Sequence, residues 1–414
     1  MTAVRSPGGE ATALSAKVIS DRAAGEAYVA KVCFKHGPPR LLGTELEYTV
    51  HYAEDLRRPL DPDDLASALG PHTPRTLRPD SPEEPLPAGS PLSLEPGGQV
   101  EISAPPRASL PELHEAVSAD LAHLTDLLAR AGFTLGETGI DPHRPPTRLL
   151  ETERYAAMER RFAPQGAGGI TMMCSTAGLQ VCLDCGEQDM LRARWEALHA
   201  LGPPLIALFA TSRRHAERDT GLSSARWRAV LDTEPSRTRP EPPSDDPAAA
   251  WAGRVMDTPL LVVRRSGARW DPPDGLTFAG WVEGHGGAEV PGPPTFADLD
   301  YHLTTMFTAV RPRGYLEVRY LDAQPGQRWL DPVALVTALL DRPSTVDKVR
   351  EVCEPVRNQW DRAARDGLED TALATVARTV ADLGCAELGR TGLPAHTVDE
   401  VGENVRRRLW ARRN

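Results

Sequence analysis

The stretch SLEPGGQVEIS, residues 93–103, ends in a predicted β-strand with Glu101 and other polar side chains at alternate positions. Side chains two residues apart in a strand project from the same face, so this strand has one polar face. A second stretch, GTELEYTVHY, residues 43–52, repeats the pattern, because Glu45 and Glu47 share one face while the opposite face is apolar. A sheet with one solvent-exposed side would explain either strand alone.

Two later stretches show the same alternation and favour a shared site. GLQVCLDC, residues 178–185, carries Gln180 on its polar face, and GYLEVRYLD, residues 314–322, carries Glu317 and Arg319. If these faces line one concave sheet, several carboxylates crowd within a few ångströms, and such crowding raises pKa values or requires a cation. Oxygen ligands without a His or Cys cluster favour magnesium or manganese over zinc. The strand faces therefore predict a metal site.

The order of the predicted elements favours the α+β class. The first strand is predicted over residues 41–52. A helix is expected after Ser109, because Ser109 and Glu112 have capping-box spacing and Pro111 suits a first helical turn. Late in the chain the pattern is helical, near residues 333–340, 345–365, 371–383 and 398–411. Strands early and helices late favour an α+β fold with antiparallel strands.

Composition and missing motifs exclude several classes of function. The 414 residues carry a formal net charge of −11, and no basic stripe with interleaved aromatic residues is present, so no nucleic-acid partner is expected. The longest apolar run is too short to span a bilayer and the first residues do not resemble a signal peptide, so we expect a cytoplasmic protein with no membrane partner. Motifs of P-loop NTPases, HExxH zinc proteases and GxSxG hydrolases are absent.

The six cysteines are expected to be reduced thiols, as is usual in the cytoplasm. Cys182 and Cys185 have the spacing of a redox or zinc motif, but they lie in a predicted strand. Residues three apart in a strand face opposite sides, so this pair is not expected to share an ion or form a disulfide.

Five sequence blocks occur in a recognisable order: GTELEYTV, SLEPGGQVEIS, TMMCSTAGLQVCLD, GLSSARWRAVLDTEPSRT and RPRGYLEVRYLD. Together they span about residues 34–325 and resemble the glutamate–cysteine ligase family of the plant and proteobacterial type, specifically its actinobacterial branch serving ergothioneine biosynthesis. The resemblance implies a glutamine-synthetase-like core, an antiparallel sheet curved into a funnel and flanked by helices. We expect residues 1–330 to form this catalytic core and residues 331–414 a helical region packed on it as one continuous domain.

The resemblance also implies a reaction. ATP and two or three Mg²⁺ ions, with Mn²⁺ as an alternative, would support ligation of the L-glutamate γ-carboxyl to the L-cysteine amine. The implied intermediate is γ-glutamyl phosphate, and the products are γ-glutamylcysteine, ADP and phosphate, supplying ergothioneine synthesis. A carboxylate–amine ligase that uses another amine, and a non-enzymatic metal-binding module, remain alternatives. We expect a monomer or weak oligomer.

Individual roles follow from the resemblance, block by block. The implied metal ligands are Glu45, Glu47, Glu95, Glu101, Gln180 and Glu317. Glu317 and Arg319 would be the catalytic pair, with Glu317 closing the metal site and Arg319 meeting the phosphates. Arg226 would hold the glutamate α-carboxylate and Arg237 the nucleotide, with neighbouring arginines as alternatives. Because the carboxylates repel one another, we expect removal of Glu47 or Glu317 to abolish turnover without loss of folding.

Overall fold

A computed structural model of the chain describes residues 16–410. The strands are β1 (Leu42–Tyr48), β2 (Val50–Tyr52), β3 (Leu92–Leu94), β4 (Val100–Ser103), β5 (Phe133–Leu135), β6 (Gly178–Leu183), β7 (Arg214–His215), β8 (Arg218–Asp219), β9 (Val310–Pro312) and β10 (Leu316–Asp322). The helices up to residue 303 are α1 (Arg22–Cys33), α2 (Pro62–Leu69), α3 (Leu110–Arg130), α4 (Glu153–Phe162), α5 (Gly168–Cys174), α6 (Leu191–Ala200), α7 (Gly202–Phe209), α8 (Ala225–Leu231), α9 (Pro235–Thr238), α10 (Pro247–Asp257), α11 (Phe278–Val282) and α12 (Phe296–Leu303). The later helices are α13 (Leu330–Leu339), α14 (Pro343–Cys353), α15 (Trp360–Asp366), α16 (Thr371–Glu387) and α17 (Ala395–Trp410).

Six strands form the main sheet in the order β3-β4-β1-β6-β10-β9, and every neighbouring pair is antiparallel. The predicted α+β class with antiparallel strands is therefore confirmed. Helices α3, α7 and α13 contact strands of this sheet, and their apolar side chains join those of the sheet in the main hydrophobic core. A second, smaller cluster is formed by side chains of α4 and α5 with Leu261 and Val262. The apolar side chains of the strands anchor the sheet, which leaves the polar faces free to line a site.

The first predicted strand is wrong in length, because the chain leaves the main sheet at Thr49. Strand β1 ends one residue earlier, and β2 pairs instead with β5 in a separate two-stranded sheet. The side chain of Tyr52 packs on Phe133, with ring centroids 4.7 Å apart. The alternation of polar and apolar side chains continues through Thr49. The pattern alone therefore does not show that β1 and β2 belong to different sheets.

Helix α3 begins as predicted, since the Ser109 side chain accepts a hydrogen bond from the backbone N–H of Glu112. The single helix predicted over residues 345–365 is wrong: the structure has α14 and α15, separated by a short 3₁₀ turn. Pro355 lies in that turn, and proline lacks the N–H that a continuous α-helix needs there. The helix predicted over residues 398–411 is α17, except that residue 411 lies outside the described residues.

Within residues 16–410, no helix combines the length and apolar character needed to cross a bilayer.

Candidate active site

Three carboxylates converge at one end of the sheet. The pairing of β1 with β4 places Glu47 directly opposite Glu101, and Glu95 lies in the turn between β3 and β4. One oxygen of each of these three side chains lies within 4.8 Å of the others. We call Glu47, Glu95 and Glu101 the three-carboxylate group.

The EPGGQ turn positions Glu95, and it needs both of its glycines. The N–H of Gly98 donates to the Glu95 carbonyl at 2.9 Å, and Gly98 has φ of +87°, which side chains rarely adopt. A Cβ on Gly97 would lie 2.1 Å from the carbonyl oxygen of Cys174 at the end of α5. Gln99 ties the turn to the same region by donating to the Thr176 carbonyl at 2.8 Å. The turn is therefore held against α5 by backbone contact.

Neutral donors orient two members of the group. Glu101 Oε1 accepts from the hydroxyls of Ser93 at 2.7 Å and Ser103 at 3.0 Å. Glu47 accepts from the backbone N–H of Gly178 at 2.5 Å and from Gln180 Nε2 at 3.1 Å. These donors carry no charge of their own, so they orient the two carboxylates without adding positive charge to the site.

Burial and mutual repulsion raise the pKa of two carboxyl groups. Burial, with the charges of Glu101 and Glu317, raises the pKa of Glu45 to about 8. Burial, with the charges of Glu101 and Glu47, raises the pKa of Glu95 to about 7. A cation bound to the three-carboxylate group would offset the repulsion between these negative charges. The donor set, all carboxylate oxygen, fits magnesium or manganese.

We expect the metal-free protein to lose thermal stability as the pH rises from about 5.5 to about 8.5. Glu45 and Glu95 ionise near pH 4.5 in the unfolded chain but only near pH 8 and 7 in the folded one, so rising pH favours unfolding. Magnesium should raise the melting temperature more at the higher pH, where fewer protons compete with it. Scanning calorimetry in EDTA or magnesium chloride at both pH values measures this.

Glu95→Gln is the control for that experiment, because it removes one of the two titrating groups. The variant should lose less stability than the wild-type protein between the two pH values in EDTA. Equal magnesium-induced shifts at both pH values would contradict the expectation.

Glu317 lies in a different environment from the three-carboxylate group. Its side chain is fully buried, and it is surrounded by Arg311 Nε at 2.6 Å, Arg319 Nη1 at 3.0 Å and Arg313 Nη1 at 3.8 Å. Burial alone would raise the pKa of Glu317, but these arginines outweigh burial and hold the pKa at about 2. We call the three guanidiniums around this carboxylate the arginine cluster.

Gln180 connects the two clusters. Its Nε2 donates to Glu47, while its Oε1 accepts from Arg319 Nη1 at 2.6 Å. The strand register also places Gln180 opposite Glu45. The register thus places the predicted metal ligands of the strands on one polar face, with Glu95 in the adjoining turn. Glu45, Gln180 and Glu317 lie outside the three-carboxylate group, and Glu317 does not line the cavity over this face.

A cavity of about 290 Å³, which we call the acidic cavity, opens over this face. Its charged and amide lining includes Glu45, Glu47, Glu95, Glu101, Gln180, Arg154, Arg226, Arg311, Arg313 and Arg319. A second cavity of about 280 Å³, which we call the apolar cavity, shares Glu45 and Arg313 with it. The other walls of the apolar cavity include Leu42, Cys182 and Tyr315. Two cavities of different chemistry therefore meet at Glu45.

Arg226 lines the acidic cavity, and only part of its guanidinium is hydrogen-bonded within the described residues. It is 6% exposed, and its Nη2 donates to the Arg319 carbonyl at 2.9 Å. Its Nε and Nη1 have no hydrogen-bond partner among residues 16–410. A Cβ on Gly178 would lie 2.2 Å from Arg226 Nη2, so only glycine allows this approach. A buried guanidinium with unpartnered N–H groups is suited to bind a substrate carboxylate.

The structure places Arg237 outside both cavities. Its side chain is fully buried, and it donates to Glu234, to Thr305 Oγ1 and to the Pro259 carbonyl. These contacts join α9 to neighbouring loops, so the predicted nucleotide-binding role of Arg237 has no support in this geometry. The sequence could not show which arginine of the Arg-rich segment faces the site.

Sequence reasoning missed Arg154, Arg311 and Arg313. Arg311 and Arg313 alternate around Pro312 in and beside β9, so their spacing could have placed them on the same face. Arg154 lies in the first turn of α4, and nothing local in the sequence connects it with the sheet.

Comparisons with known proteins agree with the geometry. The family model described as Glutamate-cysteine ligase family 2 (GCS2) matches residues 41–409. The chain is 38% identical over 387 residues to glutamate–cysteine ligase EgtA of Mycolicibacterium smegmatis, covering 91% of this chain and 85% of that protein. It is 37% identical over 369 residues to EgtA of Mycobacterium tuberculosis strain ATCC 25618 / H37Rv, covering 87% and 82%. The chloroplastic glutamate–cysteine ligase of Medicago truncatula is more distant, at 30% identity over 319 residues, 75% of this chain and 60% of that protein.

A solved structure shows the same fold. The glutamate–cysteine ligase of Francisella tularensis in complex with AMP superposes with a TM-score of 0.52 at 14% identity, covering 92% of this chain and 84% of that one. This likeness and the family match confirm the predicted resemblance and fold class.

Proposed function

Since this chain belongs to the glutamate–cysteine ligase family 2, we propose that it joins the γ-carboxyl of L-glutamate to the amine of L-cysteine at the expense of ATP. The products are γ-glutamylcysteine, ADP and phosphate, and the relatives named EgtA favour a role in ergothioneine biosynthesis. One observation carries the proposal: the three-carboxylate group shares the acidic cavity with Arg226, whose buried guanidinium has donors that find no partner in the described part of the chain.

The reaction needs activation because a carboxylate does not acylate an amine at neutral pH. The glutamate γ-carboxylate attacks the γ-phosphorus of ATP, ADP leaves, and γ-glutamyl phosphate forms. The cysteine amine then attacks the acyl carbon, phosphate leaves, and the amine loses a proton. No covalent bond to the protein is required, so positioning and charge stabilisation suffice.

The three-carboxylate group would hold magnesium, which when bound supplies positive charge to the transferring phosphoryl group. Arg313 and Arg319 line the acidic cavity and are suited to bind phosphate oxygens. We keep Glu45 and Glu317 as proposed ligands of a further cation. The pKa of Glu45 is raised, and Glu317 Oε1 is buried with no hydrogen-bond partner within residues 16–410. Gln180 we assign to orienting Glu47 and Arg319, since its amide bonds both.

The two cavities suggest where the substrates bind. The acidic cavity, with Arg226, would take glutamate and cysteine. The apolar cavity, with Leu42 and Tyr315 in its wall, would take the flat nucleotide base. The phosphates would then extend past Glu45 and Arg313, which line both cavities, and Arg313 replaces Arg237 as the proposed nucleotide contact.

We also propose that residues 1–330 are the catalytic core and residues 331–414 its helical support. Trp360 in α15 packs on Trp227, with ring centroids 5.7 Å apart, and Trp227 lines the acidic cavity. A helix of the late region therefore lies directly behind the wall of the site.

ADP release tests the function. The protein is incubated with ATP, magnesium and glutamate, with and without each candidate amine, and products are identified by mass spectrometry. Cysteine-dependent ADP release with γ-glutamylcysteine supports the proposal. Release with another amine but not cysteine would favour another carboxylate–amine ligase, and metal binding without nucleotide turnover would favour a binding module.

A further inference from the structure

The proposed product retains two α-carboxylates, one from each amino acid. Neither group reacts, so each is an anion that the site must hold still while the γ-carboxyl and the amine meet. A charge-assisted contact from arginine is the usual way to hold such a group. If the proposed function holds, one arginine must hold the α-carboxylate of the acceptor amino acid.

Of the arginines in residues 16–410, five line the acidic cavity, and they divide into two sets. Three form the arginine cluster and share the charge of Glu317. The other two, Arg154 and Arg226, have no carboxylate within ion-pair distance among residues 16–410. Within the described residues, two guanidiniums without an ion-pair partner therefore match two substrate carboxylates.

Neutral groups hold Arg154 in place. Its Nη1 donates to Thr304 Oγ1 at 3.0 Å and its Nη2 to the Thr304 carbonyl at 3.1 Å. Its guanidinium carbon lies 5.1 Å from the centre of the Tyr301 ring. The Thr152 side chain caps α4 by accepting from the N–H of Tyr155, which fixes the first turn that carries Arg154. These neutral contacts therefore fix the position of the Arg154 guanidinium without pairing its charge.

Arg154 and Arg226 belong to different parts of the cavity. Arg226 lies against the sheet, bonded to the backbone of β10 and in contact with Gly178 of β6. Arg154 lies on α4, whose Tyr155 and Met158 also line the cavity. Burial, with the charge of Glu95, raises the pKa of the Tyr155 hydroxyl.

The surroundings of Arg154 suit a small sulfur-containing side chain. Tyr155 presents an aromatic ring in the same cavity, and aromatic rings make favourable contacts with sulfur. Met158 and Met172 add apolar, polarisable surface. We propose that Arg154 binds the α-carboxylate of the acceptor amino acid and thereby selects an α-amino acid over a simple amine. Arg226 keeps the glutamate α-carboxylate.

Cysteine and cysteamine provide the test, because cysteamine has the same thiol and amine but no carboxylate. ADP release is measured with both acceptors for wild type, Arg154→Gln and Arg154→Lys. The wild-type protein should prefer cysteine in kcat/KM by about tenfold or more, and Arg154→Gln should lose most of that preference, since a bond to a charged group is worth about this much. KM for glutamate should stay within about twofold, and Arg154→Lys should recover part of the preference.

Arg160→Gln is the matched control on the same helix. Arg160 pairs with Asp271 at 2.7 Å, does not line the acidic cavity, and should leave the cysteine preference unchanged. Arg226→Gln should show the opposite pattern, a raised KM for glutamate with the cysteine preference intact. Thermal melting of each variant checks folding.

The role of Arg154 and the proposed function can fail separately. In one outcome, Arg154→Gln turns over cysteine with the same preference over cysteamine as the wild type; in another, it changes only KM for glutamate. Either result would overturn the role of Arg154 and leave the ligase activity supported. No ADP release by the wild-type protein with any amine would refute the ligase. Calorimetry then decides the role of Arg154 separately. The wild-type protein should still bind cysteine more tightly than cysteamine, and Arg154→Gln should lose that difference. An equal difference in both proteins, or equal binding of the two ligands by the wild type, overturns the inference.

Discussion

Glu47→Gln is expected to lower turnover by about two to three orders of magnitude while the protein stays folded. Glutamine preserves the volume of the side chain and its oxygen can still accept from the Gly178 N–H, but the negative charge is lost. The variant also removes one of three carboxylates crowded within 4.8 Å, so repulsion in the metal-free protein decreases. Steady-state ADP release, measured beside thermal melting, gives both quantities.

Glu83→Gln is the matched control, because Glu83 lines the same cavity but lies outside the three-carboxylate group. It should retain most of the activity. A large drop in melting temperature for Glu47→Gln would mean that the carboxylate is structural. Turnover near the wild-type rate at saturating magnesium would contradict its role as a ligand.

Glu317→Ala is expected to abolish turnover and also to lower the free energy of unfolding by about 3–5 kcal/mol. The carboxylate is fully buried among three guanidiniums, two of them within 3.0 Å. Its removal leaves like charges close together, one of them on Arg311, which is only 7% exposed. The sequence alone predicts intact folding for this variant, and the arginine cluster reverses that expectation. Urea unfolding followed by circular dichroism measures the change.

Asp271→Ala provides the comparison for Glu317→Ala. Asp271 also pairs with two arginines, at 2.7 and 2.9 Å, but this carboxylate is 32% exposed. Solvent screens that pair of contacts, so the loss should stay below about 1 kcal/mol. If both variants lost a similar free energy of unfolding, burial would not be what makes the Glu317 contacts stabilising.

Much of the site could be predicted because side-chain alternation is local. Glu45 and Glu47, and likewise Glu317 and Arg319, share faces through strand geometry alone, and the sheet confirms both pairs. The cap at Ser109 is equally local, since donor and acceptor lie three residues apart. The same reasoning failed at Thr49 and Pro355. At Thr49 the pattern continues while the chain changes sheets, and at Pro355 a turn interrupts a helical pattern.

The sequence by itself determined which residues alternate, where helix α3 starts, and that acidic side chains accumulate on strand faces, because these properties depend on neighbours along the chain. Only the tertiary structure decided the strand register and the partners of each charge. It placed Glu47 opposite Glu101, surrounded Glu317 with arginines, and buried Arg237 away from both cavities. It also placed Arg154, a residue of helix α4, in the lining of the same cavity as the strand carboxylates. Ion pairing depends on distances in space, and those are set by packing between segments far apart in sequence.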